Sequence, residues 1–377
     1  MNLRVLVVDD SIVFRKAISD ALLQIPNVEV VGSAPNGKIA LERAESLAPD
    51  LMTLDIEMPE MDGLAVLNVL RERKQEKGVI VVSALTQKGS TMTIKALELG
   101  AFDFITKPTG SGAAASIETL KATLSPIISA FRRRMEIRGI LKAPSNIASA
   151  SSPVVTTMTP VPETKSSIAA LSAVAKRMDR VANAGSVEMV LIGISTGGPN
   201  ALALVLPNLP ASFPVPIFIV QHMPPMFTES LATSLNSKSQ ITVVEAKDGD
   251  IGRPGTAYIA PGGKQMKLTP GSPGEIVVRI TDDPPENNCR PAADYLFRSA
   301  SIAFPGKSAA AIMTGMGSDG VLGLRLLKRH GCRVIAQDEA SCVVFGMPGE
   351  AVKAGVVDAI VPLDNIADEI RRSVRGG

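Results

Sequence analysis

Residues 3–11 read Leu-Arg-Val-Leu-Val-Val-Asp-Asp-Ser. An apolar run ends abruptly on two carboxylates and a hydroxyl. Such a run is apolar on both faces, as a strand covered by helices on each side must be. The pattern recurs down the chain. Strands are expected at 3–8, 28–33, 51–54, 79–82 and 103–105, and helices at 11–25, 38–48, 64–76, 90–99 and 118–135. This alternation predicts a doubly wound α/β domain with a parallel sheet.

Beyond it the composition changes. Residues 143–167 hold Pro144, Pro153, Pro160 and Pro162 among many Ser and Thr. Such a stretch buries too little surface to order itself and reads as a flexible linker. Residues 168–181 have helical periodicity and read as a linker helix. Alternation then resumes, with strands at 189–194 and 217–220 and helices at 200–206 and 228–235. A Gly/Pro-rich middle, 248–274, suggests hairpins. The α/β pattern returns at 309–313, 322–329, 333–336 and 356–361. The expected organisation is a first domain over 1–125, a linker over 126–186 and a second parallel-sheet domain over 187–377.

Composition narrows the function. A chain of 377 residues has room for two domains. Apolar residues make up 45%, ample for packed cores. Aromatics are 3%, with no Trp and two Tyr, which argues against a base-stacking platform. No run of 18 apolar residues occurs, so no membrane insertion is expected. The opening MNLRVLVVDD lacks a signal-peptide apolar region, which reads as cytoplasmic. Three cysteines without a CxxC and two histidines weigh against structural zinc and a disulfide framework. Residues 1–140 carry 17 basic and 17 acidic side chains, and residues 186–377 carry 17 and 18. Neither half has the basic footprint of a nucleic-acid-binding domain, so no nucleic-acid partner is expected.

Polar groups collect at the strand ends of the first domain. Asp9 and Asp10 end the first strand, Asp55 the third and Ser83 the fourth, and Lys107 follows the fifth. In an open parallel sheet the carboxyl ends of the strands form the ligand crevice, so these five converge. Three carboxylates repel each other unless a cation intervenes, and an all-oxygen donor set suits Mg²⁺. Lys107 and the Ser83 hydroxyl suit an incoming phosphoryl group.

The second domain offers a serine nucleophile. The strand MVLIGI runs into Ser195-Thr196-Gly197-Gly198-Pro199. Backbone amides at such a turn can face a developing oxyanion. A nucleophilic serine needs a base. His222 follows another strand at its carboxyl end, whereas His330 ends a helix and reads as its C-cap. Asp319, in the loop Gly315-Met316-Gly317-Ser318-Asp319-Gly320, is a candidate for the carboxylate that orients the imidazole, and equally a helix N-cap. Asp248 and Asp250, in the hairpin-like middle, are weaker alternatives.

Residues 3–125 resemble the response-regulator receiver domain, through VVDDS at 7–11, Asp55 before Met58-Pro59-Glu60-Met61-Asp62-Gly63, Ser83-Ala84 and Lys107-Pro108. The resemblance implies phosphorylation of Asp55 by a histidine kinase. It also implies Mg²⁺ held by Asp10, Asp55 and the Glu57 carbonyl, with Asp9 assisting. Ser83 and Lys107 would sense the phosphate, and Phe104 stands at the switch-aromatic position. The state of the Lys107–Pro108 bond is left open. Residues 187–375 resemble the CheB-type protein-glutamate methylesterase domain, through GISTGGP, QHMPPMFT, YIAPGGKQM and MTGMGSDG. The two resemblances imply a flavodoxin-like receiver followed by a Rossmann-like α/β domain with a β-hairpin. They imply a Ser195–His222–Asp319 triad, with oxyanion donors at the Thr196 and Met316 amides and no esterase cofactor. The implied partners are a chemotaxis histidine kinase and methylated chemoreceptors, and the chain is expected to be monomeric. In the family the unphosphorylated receiver packs over the active-site face. Met226 stands where the family usually has Gly, Ser318 where Asn is frequent, and the linker is longer than usual. The competing readings are a DNA-binding output domain, an inactive hydrolase-like partner and a generic small-ester esterase.

Overall fold

The fold is that of a computed structural model, and it describes residues 2–75, 77–108, 113–142 and 186–375. The linker at 143–167 and the helix expected at 168–181 lie outside the described residues. Five strands, β1 (Leu3–Val8), β2 (Val28–Ala34), β3 (Leu51–Asp55), β4 (Gly78–Ser83) and β5 (Asp103–Thr106), form a parallel sheet in the order β2-β1-β3-β4-β5. Helices α1 (Ile12–Leu23), α2 (Gly37–Ser46), α3 (Gly63–Glu72), α4 (Gln87–Glu98) and α5 (Ala113–Lys142) connect and flank them. Ser11, Asn36, Asp62 and Thr86 cap the first four helices, each accepting from a backbone amide of the first turn.

The first domain does not stop at residue 125. Helix α5 runs on to Lys142, and Ile127, Ile128, Ala130 and Phe131 are buried with Leu3, Val5, Ile18 and Leu22 in one core cluster. Removing such side chains from water contributes about 1.5–3 kcal/mol each, which holds the later turns on the domain. The Lys107–Pro108 bond is trans; the cis peptide among the described residues is Arg290–Pro291.

The second domain has a seven-stranded sheet in the order β14-β13-β12-β6-β7-β9-β8, with every pairing parallel. Its strands are β6 (Met189–Ile194), β7 (Ile217–Gln221), β8 (Thr242–Glu245), β9 (Thr256–Ile259), β12 (Ser308–Ile312), β13 (Arg333–Gln337) and β14 (Ala359–Val361). A separate antiparallel hairpin joins β10 (Gln265–Pro270) to β11 (Ile276–Thr281). The helices are α6 (Gly198–Val205), α7 (Phe227–Asn236), α8 (Ala293–Ala303), α9 (Val321–Arg329), α10 (Met347–Lys353) and α11 (Leu363–Arg375).

The hairpin expectation for 248–274 holds only in part. β9 lies inside that stretch yet joins the parallel sheet, and the true hairpin reaches Thr281. Helices α8, α10 and α11 were not anticipated. α8 shows why: its N-cap is Ala292, which makes no side-chain cap, so no local signal marks its start.

The two domains touch. Helix α4 packs on α7, with Ser90 Oγ 2.7 Å from Ser230 Oγ, both buried, and Lys238 Nζ 2.6 Å from Glu98. Phe104 stacks on Phe227, ring centroids 4.7 Å apart. The contact therefore uses the α4–β5 face of the first domain.

Candidate active site

β6, β7 and β12 are neighbours, so the residues that follow them meet at one sheet edge. Ser195 leaves β6, His222 leaves β7, and the loop after β12 carries Asp319. His222 Nε2 lies 2.8 Å from Asp319 Oδ2. Asp319 is buried and heavily anchored. It accepts from the Ala293 amide at 2.6 Å, the Asp294 amide at 3.1 Å and Asn287 Nδ2 at 2.9 Å. The two amides are the first of α8, so the carboxylate sits at the positive end of that helix. These contacts and His222 outweigh burial and hold Asp319 below its usual range. Burial would lower His222, but Asp319 and Cys289 push it up to about 9.

Asn287 bridges a second carboxylate. Its Nδ2 also donates to Asp294 Oδ2 at 3.0 Å, and Asp294 Oδ1 accepts from the Gly323 amide at 2.7 Å. Burial raises Asp294. On the far side of the imidazole, Cys289 Sγ is 3.6 Å from Nδ1. Sequence reasoning missed both Asn287 and Cys289. They sit on a turn closed by Cys289 N to Glu286 O at 2.7 Å, and nothing local ties that turn to β7 or β12.

Ser195 is fixed by its backbone: its amide donates to Thr314 O at 2.9 Å, and its carbonyl accepts from Gln221 Nε2 at 3.0 Å. A Cβ at Gly315 would stand 2.8 Å from Ser195 Cβ, so only glycine lets the loop approach. Among the described residues Ser195 Oγ makes no hydrogen bond to His222. The Thr196 and Met316 amides donate to no protein group among the described residues, so both remain available to a ligand oxygen. Met226 has φ +71°, a conformation that favours glycine and strains a longer side chain. Ser318 is exposed. His330 is the C-cap of α9 and exposed, and Asp248 and Asp250 hold backbone amides of Ile280 and Lys247, away from the imidazole.

The first domain's edge is also assembled. Lys107 Nζ lies 2.7 Å from Asp55 Oδ2 and 2.9 Å from Asp9 Oδ2. Burial raises Asp55 despite the lysine; burial lowers Lys107, but the two carboxylates outweigh it and raise it. The Glu57 amide donates to Asp55 Oδ1 at 3.3 Å. Carboxylate oxygens of Asp9, Asp10 and Asp55 lie within 4.8 Å of one another. Asp9 is buried, and the Lys107 ammonium is the partner of its Oδ2. Three converging carboxylates, an all-oxygen donor set that a single lysine does not neutralise, fit Mg²⁺. Ser83 Oγ turns away, toward the carbonyls of Ala84 and Gly89 at 3.3 Å.

Residues 190–370 match the family described as CheB methylesterase, and residues 5–116 that described as response regulator receiver domain. A relative from Desulfotalea psychrophila, named protein-glutamate methylesterase/protein-glutamine glutaminase, is 50% identical and covers 99% of both chains. The chain belongs to the CheB methylesterase family. Another CheB relative with that printed name, from Halalkalibacterium halodurans, is 43% identical over 99% of each chain. The crystal structure of the Thermotoga maritima CheB methylesterase catalytic domain is 43% identical, with a TM-score of 0.49, and covers 50% of this chain and 99% of that one. The two family matches give this chain a receiver domain and a CheB methylesterase domain, and the second is the enzyme. Among the described residues no helix is long and apolar enough to cross a membrane.

Proposed function

We propose that the chain hydrolyses γ-glutamyl methyl esters on chemoreceptors, and deamidates receptor glutamines, through Ser195, His222 and Asp319. The observation that carries this reading is the His222–Asp319 contact at 2.8 Å, with Asp319 pinned by three further donors beside the strand that delivers Ser195. Nε2 is committed to Asp319, so Nδ1 is the nitrogen left to act as base. His222 Nδ1 takes the Ser195 proton while Oγ attacks the ester carbonyl. The Thr196 and Met316 amides receive the oxyanion; losing one such donor costs about 3 kcal/mol in comparable enzymes. The proton passes to methanol, or to ammonia from glutamine, as it leaves. Water, deprotonated by the same nitrogen, cleaves the acyl-enzyme to glutamate.

The receiver regulates that site. Asp55 accepts a phosphoryl group from a histidine kinase of the chemotaxis system, in the cytoplasm. Asp10, Asp55 and the Glu57 carbonyl, with Asp9, would hold Mg²⁺, which offsets the repulsion among carboxylates and phosphoryl oxygens. Lys107 leaves its two carboxylate partners for the phosphate, and Ser83 rotates from the Gly89 carbonyl toward it. Phe104 follows, and its stack on Phe227 opens. Asp103, next to it, lies beside the side chain of Thr196 in the nucleophile turn, so the receiver reaches the oxyanion site directly. Opening this contact by about 1.4 kcal/mol suffices for tenfold activation.

The test is methanol release from methylated receptor by Ser195→Ala. Turnover should fall by about 10⁶, while Asp55 still takes up phosphate from a small phosphodonor. Near-normal turnover would show that the nucleophile lies elsewhere.

A further inference from the structure

The nitrogen left for catalysis does not face an empty wall. Cys289 Sγ stands 3.6 Å from His222 Nδ1, and the sulfur, an imidazole nitrogen and an Asp319 oxygen all lie within 4.8 Å of one another. We propose that Cys289 Sγ and His222 Nδ1 form a binding site for a soft divalent cation, zinc foremost, which blocks the catalytic base.

The geometry matches the ion. Zinc–sulfur and zinc–nitrogen bonds of about 2.3 and 2.05 Å at a tetrahedral angle place the two ligand atoms about 3.6 Å apart. The observed separation of the two ligand atoms is thus the one a shared zinc ion requires. The imidazole is pre-aimed, because Nε2 is held at 2.8 Å by Asp319 and Asp319 by the α8 amides. A carboxylate on the distal nitrogen is the usual support of a metal-bound histidine: it fixes the ring and makes the ligating nitrogen more basic. The sulfur is fixed too. Its turn is closed by reciprocal backbone bonds between Glu286 and Cys289, and Gln265 Nε2 donates to the Cys289 carbonyl at 3.4 Å. Both ligating residues are half-buried, so the site is reachable from solvent.

Two protein ligands leave the remaining positions to water, so the ion exchanges rather than being locked in. The donor set also separates this site from the receiver pocket. Oxygen donors there suit Mg²⁺; sulfur and imidazole here select zinc. One protein thus carries two cation sites of opposite preference, one serving activation and the other a brake. The braking effect rests on the assignment of His222 as base: a cation on Nδ1 occupies the lone pair that must receive the Ser195 proton.

The experiment uses full-length, metal-free protein. Co²⁺ is titrated in as a spectroscopic stand-in, and zinc is titrated against hydrolysis of a small aryl ester, each variant's rate being normalised to its own zinc-free rate. The wild type should show a sulfur-to-cobalt charge-transfer band and tetrahedral visible bands. Zinc should inhibit it, and a chelator should restore it. Cys289→Ser should lose the charge-transfer band and need at least about tenfold more zinc for half-inhibition. Cys342→Ser should behave as wild type. A band that survives Cys289→Ser, or is absent from the wild type, overturns the site while leaving the esterase reading intact. A Cys289-dependent band with no loss of turnover supports the site and overturns His222 as the base.

Discussion

The two polar edges of this molecule follow one rule and differ in how they are completed. In the receiver, the acidic pocket is finished by residues next to strand ends: Lys107 Nζ already lies within 2.9 Å of both Asp9 and Asp55. In the methylesterase domain the strand ends deliver Ser195, His222 and Asp319, but the orientation of the last two comes from elsewhere. Asn287, the α8 amides and Cys289 surround them, all from the segment between β11 and α8, outside the parallel sheet. A pocket for electrostatic work needs charges close together. A site for proton transfer also needs each ring and carboxylate held in one orientation, and that takes a second set of contacts.

The sharpest way to break the comparison is to remove the orienting charge. Asp319→Asn should lower methanol release by about 10⁴. The pH profile should move with it. His222 is pushed up to about 9 in the resting enzyme, so the neutral base accumulates, and wild-type kcat/KM rises, as pH climbs toward 9. Without the Asp319 charge that limb should move to lower pH, toward the ordinary histidine range. An unmoved limb would mean that Asp319 is structural only.

Asn287→Ala tests whether the surrounding turn matters as claimed. Losing its bridge leaves two buried carboxylates facing each other, a cost of about 1–3 kcal/mol, or roughly 5- to 150-fold in kcat. KM should change little, and Asn287→Ala that turned over at the wild-type rate would refute the role.

The receiver edge should respond on a smaller scale. Asp55→Ala, or chelation of Mg²⁺ in the wild type, should abolish the response to a small phosphodonor. The loss is of activation, about tenfold, with basal turnover retained. Activation that persisted in Asp55→Ala would move the acceptor elsewhere, Asp10 being the next candidate.

The smallest effect concerns the contact between the two edges. Burial pushes Asp103 up to about 6 from 3.8, so the docked state binds the extra proton. Docking is then strongest at acid pH and weakens as pH rises through 6. Fold-activation by phosphodonor should be a few-fold larger at pH 5 than at pH 7.5, and Asp103→Asn should flatten the difference. Equal activation at both values in the wild type would remove Asp103 from the interface energetics.

Local signals explain what the sequence made readable. Asp9, Asp55, Ser83, Lys107, Ser195 and His222 each follow an apolar strand, so strand prediction alone places them on an edge. Asp319 was readable as an N-cap as well as a triad member, and the structure gives it the first amides of a helix, α8, that starts in another segment. Cys289 and Asn287 were invisible because their turn reaches the site only through tertiary packing. β9 was hidden by its four-residue length and by the prolines and glycines around it. The interface of α4 with α7 joins residues 140 apart, as at Ser90 and Ser230, and no period in the sequence encodes it.

Helix α8 has no cap of its own. Ala292 offers no side-chain acceptor, and the carboxylate that quiets its first amides belongs to residue 319. The same atoms are therefore under two selections at once, one for starting a helix and one for steering a proton. Drift at 319 is doubly punished, whereas a serine or aspartate introduced at 292 would relieve the carboxylate of its folding duty. In a chain so altered, position 319 would become free to vary for chemistry alone.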